Sequence, residues 1–388
     1  MDRVMRGDVA MKPARQNRYL VKSVIHASEV LCAFQSPGEV LGLREVVERT
    51  RLSKGMCFRF LYTLHECGFV EKLGENRYRR SWEMHPKRQF RIGYASQGQD
   101  SSFGRVVLDG LIGAAQNAGM ELIVADNRYD AKIALRNADY LIRERVDLAI
   151  EFQTDDSVAV AIASKYMEAG IPFIAIDIPH PGATYFGANN YYAGLMAGRQ
   201  LGRWAKKNWD GVVDEILLLE IARAGSIPRS RVRGMLEGIK ETIRIPDQTP
   251  IVTLDGDGQF KTAQDVIRKH LRSSKTKRVL VGAANDPSAI GALRAFQEAG
   301  RAAHCSIVGH NAEPEARTEL REPQTRLIGS VAFFPDKYGE ELIRIAVDIL
   351  SHKPVPPVLF VKNRMITPEN VDHFYPNDEL LGVASAQV

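Results

Sequence analysis

From Phe90 onward the sequence keeps to one grammar: a short apolar run, a loop, a stretch of helical periodicity, another loop. The runs are Arg91–Ala95, Glu121–Asp126, Asp147–Phe152, Pro172–Asp177, Glu215–Glu220, Ile251–Asp255, Val279–Ala283, Ser306–Gly309 and Leu327–Val331. Helices such as Phe103–Ala118, Ala131–Glu144, Tyr191–Lys207 and Pro287–Ala299 lie between them. Runs of Val, Ile and Leu belong to strands covered on both faces, and helices joining successive strands make those strands parallel. The pattern predicts an α/β fold of parallel sheets flanked by helices. Some nine or ten strands are generous for one sheet, so two similar lobes divide the segment naturally.

The first quarter reads differently. Residues 1–88 carry 17 Lys and Arg against 10 Asp and Glu, whereas the rest of the chain carries 35 against 37. The positive excess therefore sits at one end and points to a polyanionic partner there. Tyr19–Phe34 places Val24, Ala27, Leu31 and Phe34 at helical spacing, Ser36-Pro37-Gly38 stops it, and Leu43–Thr50 forms a second short helix. A third helix follows Ser53, a residue suited to the N-cap.

Cys57, Phe60, Leu61 and Leu64 share one face of that third helix, which leaves Gly55, Phe58, Arg59 and Tyr62 on the other. Outward aromatic rings suit thymine methyls and sugars in a major groove, and Arg59 suits a two-pronged bond to guanine. Beyond it, Gly68–Lys72 and Arg77–Arg80 around Gly74-Glu75-Asn76 predict a hairpin wing. Its Lys72, Arg77, Arg79 and Arg80 would meet phosphates, which set affinity and register. A winged helix that docks a protein partner, its basic wing merely solvated, is the competing reading.

The segments Tyr19–Val24, Val30–Phe34 and Leu43–Lys72 resemble the DNA-binding domain of the IclR family of bacterial transcription regulators. The resemblance implies DNA-reading roles for Ser53, Lys54, Phe58 and Arg59. The usual ligand-binding domain of that family does not follow.

In the long segment Asp126, Gln153, Asp177, Asp255, Asn285 and Asn311 stand at or just past the carboxyl ends of expected strands, the edge at which open α/β sheets bind ligands. Each alone reads as a loop residue capping the next helix; six together, with Phe103 and Arg231, predict a pocket. The motifs Val146–Ile150, Gly170–Asp177, Gly187–Asn190 with Ala193-Gly194, Arg231–Gly234, Asn285-Asp286 with Ala289–Leu293, and Val308–Asn311 resemble the ribose-binding-protein and lactose-repressor type of sugar-binding fold over about residues 90–360. The resemblance implies that Phe103 stacks on a sugar ring, Asp177 accepts hydroxyl protons, Arg231 and Asn285 bind hydroxyls, Asn311 completes the polar ring, and Phe260 adds a second aromatic wall. Such a set suits a polyol, whose C–H faces meet aromatic rings and whose buried hydroxyls need polar partners. Three positions depart from ribose binders: Asn311 replaces an acid, Ile178 an Arg and Phe333 a Gln. The expected pocket is less charged and more aromatic, with Phe333 part of it.

Other chemistries find little support. The sequence has no GxSxG, HExxH, GxxxxGK[ST] or post-strand GxGxxG motif, and no catalytic role or cofactor is expected. Asp255-Gly256-Asp257-Gly258 resembles the start of a calcium loop, but Val266 stands where the closing Glu belongs. Cys32, Cys57, Cys67 and Cys305 have no metal-ligand spacing and read as reduced core residues. No run approaches a membrane span or a secretory signal, so a cytoplasmic location without membrane contact is expected.

The assembled expectation is a ligand-responsive regulator that binds double-stranded operator DNA as a homodimer and senses a carbohydrate-like effector. Its parts are a flexible basic tail at 1–16, a winged helix-turn-helix at 17–85, a hinge at 86–89, a two-lobed sensor at 90–365 and a C-terminal extension at 366–388. Lobe one would take about 90–188 and 333–360, and lobe two about 189–332. Trp82–Arg88 would carry the signal between head and sensor. The alternative is a cytosolic sugar-binding module whose head mediates protein contacts.

Overall fold

The computed structural model describes residues 20–36, 38–81, 89–98 and 102–378. The expected tail at 1–16, the signal-carrying segment Trp82–Arg88 and most of the expected hinge lie outside the described residues. The chain divides into two compact units, Met1–Gln89 and Phe90–Val388.

The first unit runs α1 (Lys22–Cys32), β1 (Val40–Gly42), α2 (Leu43–Thr50), α3 (Lys54–Glu66), β2 (Val70–Gly74) and β3 (Arg77–Arg80). The backbone N–H of Gly42 donates to Glu45 Oε2 at 2.6 Å and starts α2; Arg51, left-handed at φ 57°, ends it. Ser53 caps α3 by accepting from the Met56 N–H at 3.3 Å. Val30, Val46, Cys57, Leu61 and Leu64 from the helices and Phe34 from the loop after α1 pack with Val70 and Tyr78 of the hairpin. The sequence pattern did not disclose β1, which pairs antiparallel with β3 and sets Leu41 opposite Tyr78. Only three residues long, it carries no period of its own.

Lobe one of the second unit begins with β4 (Arg91–Ser96), α4 (Ser102–Asn117), β5 (Glu121–Asp126), α5 (Ala131–Arg143), β6 (Leu148–Glu151), α6 (Ala159–Glu168), β7 (Phe173–Ile176) and β8 (Thr184–Gly187). Lobe two holds α7 (Asn190–Asn208), β9 (Glu215–Glu220), α8 (Ser226–Thr242), β10 (Ile251–Asp255), α9 (Phe260–Ser273), β11 (Val279–Ala283), α10 (Asp286–Glu298), β12 (Cys305–Asn311), α11 (Pro314–Leu320) and β13 (Leu327–Ala332). The chain then returns to lobe one as α12 (Tyr338–Leu350) and β14 (Val358–Phe360), and crosses once more for β15 (Arg364–Ile366) and α13 (Val371–Phe374).

Lobe one is a parallel sheet in the order β14-β8-β7-β6-β4-β5; lobe two runs β10-β9-β11-β12-β13-β15, parallel except for β15. Every residue of β6, β7, β11 and β13 is buried, while the edge strand β10 alternates. That contrast is why the central strands read as unbroken apolar runs. In lobe one α4 and α12 cover one face, and α5 and α6 the other. In lobe two α7 and α8 oppose α9, α10 and α11.

Residues 364–378, set apart in the sequence reading as an extension from 366, are thus built into lobe two. Asp378 is buried between Arg317 and Arg321, at 2.8 and 2.9 Å. Among the described residues no helix is long and apolar enough to cross a membrane.

Candidate functional site

Two surfaces meet the sequence expectations, one in each unit. On α3, Cys57, Leu61 and Leu64 are buried, and Lys54, Gly55, Phe58, Arg59 and Tyr62 are exposed, Phe58 at 47% and Tyr62 at 58%. No heavy atom lies within 4 Å of where a side chain at Gly55 would begin. The helix therefore presents two uncovered rings and a guanidinium on the face turned away from the domain core.

The wing is divided by strand alternation. Arg77 and Arg79 share one face of β3, opposite Tyr78, which is core; Arg77 and Lys72 are exposed. Arg79 pairs with Glu71 across the hairpin at 2.6 Å. Arg80 falls on the Tyr78 side and donates to the Leu31 carbonyl at 3.3 Å, so it anchors the hairpin to α1 instead of facing outward. Cys57 and Cys305 are buried as expected of core thiols, but Cys32 and Cys67 are exposed.

Between the lobes of the second unit lies an open cleft of about 1530 Å³. Phe103, Gln153, Asp177, Arg231, Phe260, Asn285 and Asn311 all line it, drawn from both lobes and from positions more than 200 residues apart. Gln97, Arg105, Tyr129, Thr154, Asn190, Asp286 and Glu313 line it too, and were not singled out from the sequence. Of these, Asn190 and Asp286 adjoin the motifs Gly187–Asn190 and Asn285-Asp286, the one signal that pointed near them.

Phe103, in the first turn of α4, packs edge-on against Phe152 and Tyr338 with ring centres 6.1 and 5.7 Å away. Asp177 ends β7 in the left-handed region at φ 59°, and its Oδ1 accepts from the Ala188 N–H at 3.3 Å. Burial pushes its carboxyl above the ordinary aspartate range, opposed by the nearby charge of Arg231. Arg231 is held by Asn190 Oδ1 at 3.0 Å and by the carbonyl of Ala284. It rides on α8, which packs so closely on α7 that a Cβ at Gly194 would collide with the Arg231 carbonyl, and one at Gly234 with that of Tyr191. Those glycines let the two helices meet backbone to backbone and so set the height of the guanidinium over the cleft. Asn285 caps α10 and donates to the Gly258 carbonyl at 2.8 Å. Gln153 keeps a buried Nε2 without a protein partner, a donor at the cleft wall.

Three expected residues fall elsewhere. Asp126 closes the edge strand β5, the last position of the sheet and remote from the crossover, and its Oδ1 accepts from the Arg128 N–H at 2.9 Å. Tyr129, three residues on, reaches the cleft in its place. Phe333 is buried beneath Arg231, its ring centre 5.0 Å from the guanidinium carbon, and stacks on His310. It supports the cation from below and is no wall of the cleft. Asp255 is spent on its own turn, accepting from the Ala222 and Asp257 N–H groups, while Asp257 pairs with Arg223 at 2.8 Å. Among the described residues no cluster of His, Cys, Asp and Glu could hold a metal ion.

The rim brings the lobes into contact. The Ser102 hydroxyl of lobe one donates to Glu313 Oε2 of lobe two at 2.6 Å, and Arg223 of lobe two donates to the Tyr129 carbonyl of lobe one at 3.4 Å.

Comparison with known proteins agrees with this architecture. The ribose import binding protein of Salmonella typhimurium is 25% identical over 251 residues, covering 64% of this chain and 80% of that protein. The D-ribose/D-allose-binding protein of Pseudomonas aeruginosa is 22% identical over 231 residues, covering 57% and 69%. A solute-binding protein from Actinobacillus succinogenes, solved with bound D-allose, superposes with a TM-score of 0.64 at 20% identity, over 74% of this chain and 100% of its own. One from Bacillus halodurans, solved with bound myo-inositol, gives 0.64 at 22%, over 74% and 98%. At such identities the structural likeness speaks for the fold. The periplasmic binding protein domain family matches residues 92–354, and the IclR helix-turn-helix domain family matches residues 23–74. The chain thus belongs to the periplasmic binding protein domain family and carries an IclR helix-turn-helix domain ahead of that domain.

Proposed function

We propose that this protein is a cytoplasmic, effector-responsive transcription regulator that binds operator DNA through its winged head and a neutral carbohydrate or polyol in the cleft. The observation that carries the reading is the pairing, in one chain, of an exposed Phe58-Arg59-Tyr62 face on a capped helix-turn-helix with a cleft built around Asp177 and Arg231. Ser53, Lys54, Phe58, Arg59 and Tyr62 address the groove, and Lys72 and Arg77 address phosphates. Phe103 and Phe260 take the C–H faces of the effector, and Gln153, Asp177, Arg231, Asn285 and Asn311 its hydroxyls.

The effector favours the closed form in proportion to its differential affinity for the two forms. A homodimer with two heads at fixed spacing would read paired half-sites. Coupling between effector and DNA would then fall at about 1–3 kcal/mol, the usual allosteric range. The cleft is read as a binding site without turnover, its Ser102 hydroxyl and Glu313 carboxylate joined across the rim as a contact between lobes.

The test has two parts. Operators are selected from random duplex DNA with the purified protein, and affinity is followed by fluorescence anisotropy at several salt concentrations, with and without D-ribose, D-allose or myo-inositol. A steep salt dependence together with an effector-dependent Kd supports the reading. DNA binding that is absent or blind to every sugar, with sugar binding intact, would replace it by a sugar-binding module whose head docks a protein.

A further inference from the structure

The turn that follows β12 carries more machinery than a loop requires. Asn311 and Ala312 both take positive φ, 105° and 52°, conformations that non-glycine residues occupy sparsely and that persist only where surroundings impose them. The imposing group is Asp286, wholly buried at the start of α10. Its Oδ2 accepts from the Glu313 N–H at 2.8 Å, and its Oδ1 accepts from the Ser330 hydroxyl at 2.6 Å. The Ser330 oxygen in turn accepts from the Ala312 N–H at 2.9 Å, and Arg317 holds the Ala312 carbonyl at 2.8 Å. One carboxylate thus holds two consecutive amides of a strained turn, that of Glu313 directly and that of Ala312 through the Ser330 hydroxyl.

The strain aims Glu313 back into the cleft, where its side chain is nearly buried. Oε2 accepts from Ser102 across the cleft at 2.6 Å, and Oε1 accepts from Asn311 Nδ2 at 2.7 Å. A carboxylate offers only acceptors, so it settles which end of the Asn311 amide it holds: the NH2 turns to Glu313, and Oδ1 is left without a protein partner among the described residues. We propose that Glu313 is a positioning residue for effector recognition, which fixes the Asn311 amide so that it presents a carbonyl oxygen to one effector hydroxyl and thereby demands that this hydroxyl donate. Resting on the proposed sensing of a hydroxylated effector, this explains how a cleft with an amide at this place can keep the acceptor that a carboxylate would supply. It also ties the selectivity to closure, because Ser102 holds Glu313 only when the lobes meet.

Fluorine in place of a hydroxyl removes the donor and keeps the size, so deoxyfluoro sugars read the direction of the bond. Isothermal titration is run with D-ribose, D-allose and myo-inositol and with each of their monodeoxyfluoro analogues. In the wild type each hydroxyl that donates to an acceptor in the cleft should lose about 10-fold in affinity on fluorination, the value of one hydrogen bond, and the position that donates to Asn311 is one of these. In Glu313→Gln the new NH2 can hold the Asn311 carbonyl, the amide turns over, and that position's hydroxyl-to-fluorine ratio should fall towards 1. The double variant Asn311→Asp with Glu313→Gln returns an acceptor to the cleft and should restore the ratio, which a merely structural role for Glu313 would not. A wild type that prefers hydroxyl over fluorine while E313Q keeps the same ratio overturns this inference alone. A wild type that binds none of these sugars overturns the effector reading and this inference with it.

Discussion

Glu151 offers a sharp test of how the interior of lobe one is built. Its side chain ends β6 on the face covered by α5 and α6, with no exposure to solvent. One oxygen accepts from the Tyr166 hydroxyl at 2.5 Å, and the other has no partner. Burial pushes the carboxyl up to about 8, opposed only by that hydrogen bond. The folded protein therefore keeps the proton to about pH 8, whereas an unfolded glutamate releases it near 4.5. Unfolding releases a proton across that window, so this residue lowers stability by ~1.4 kcal/mol for each pH unit gained and has no further effect once both forms are ionised. Glu151→Gln keeps the shape and the acceptor for Tyr166 while removing the titration. Its advantage over the wild type should be smallest below pH 4.5, should grow by about 3 kcal/mol between pH 5.5 and 7.5, and should level off above pH 8. Urea unfolding of the sensor transition at five pH values, compared between the two proteins, measures this. A difference that stays constant with pH would refute the assignment of a buried, proton-bearing carboxyl, and with it the packing of β6 against α6.

Three further outcomes follow from the geometry. Arg59→Ala should relax discrimination at one base pair by ~1–3 kcal/mol, whereas Arg77→Ala should weaken all DNA alike and lower the salt slope by about 1; competition binding on a set of single-base operator variants separates the two, and sequence-blind losses from both would remove α3 from the groove. Asp177→Asn keeps the acceptor for the Ala188 amide but loses the charge facing Arg231, and should abolish the thermal shift, worth ~2.7 kcal/mol at 100-fold saturation, that a bound sugar gives the wild type, without unfolding the ligand-free sensor. Gly194→Ala drives a methyl into the Arg231 carbonyl; it should cost ~1–3 kcal/mol of sensor stability and weaken sugar binding through displacement of the guanidinium, both read by calorimetry.

Much of this was legible in the chain itself. The nine apolar runs became nine strands with ends shifted by a residue or two, because buried parallel strands are apolar throughout and need no partner to be recognised. Three strands of the sensor lack such a run: β14 and β15 close the sheet edges and stay partly exposed, and β8 is the four residues Thr184-Tyr185-Phe186-Gly187, without a Val, Ile or Leu. The outward face of α3 was readable for a related reason: helical spacing alone separates Cys57, Leu61 and Leu64 from Phe58, Arg59 and Tyr62.

What local pattern could not supply was convergence. Gln153 and Asp126 are alike in the sequence, a polar residue closing a strand, and only the sheet order, with β5 at the edge, sends one to the cleft and the other to its own turn. Arg77 and Arg80 look alike in a basic wing, until Tyr78 fixes which face of β3 is core. Phe333 sits where a pocket residue was expected, yet burial places it under Arg231. Glu313 had no signal at all, since its place depends on a turn strained by Asp286, 27 residues earlier, and on Ser102, 211 residues earlier and in the other lobe. The sequence by itself determined the two kinds of unit, because periodicity and charge are properties of neighbouring residues. The tertiary structure alone decided the site, because burial, strain and hydrogen bonding across the cleft are set between residues that the chain brings together only by folding.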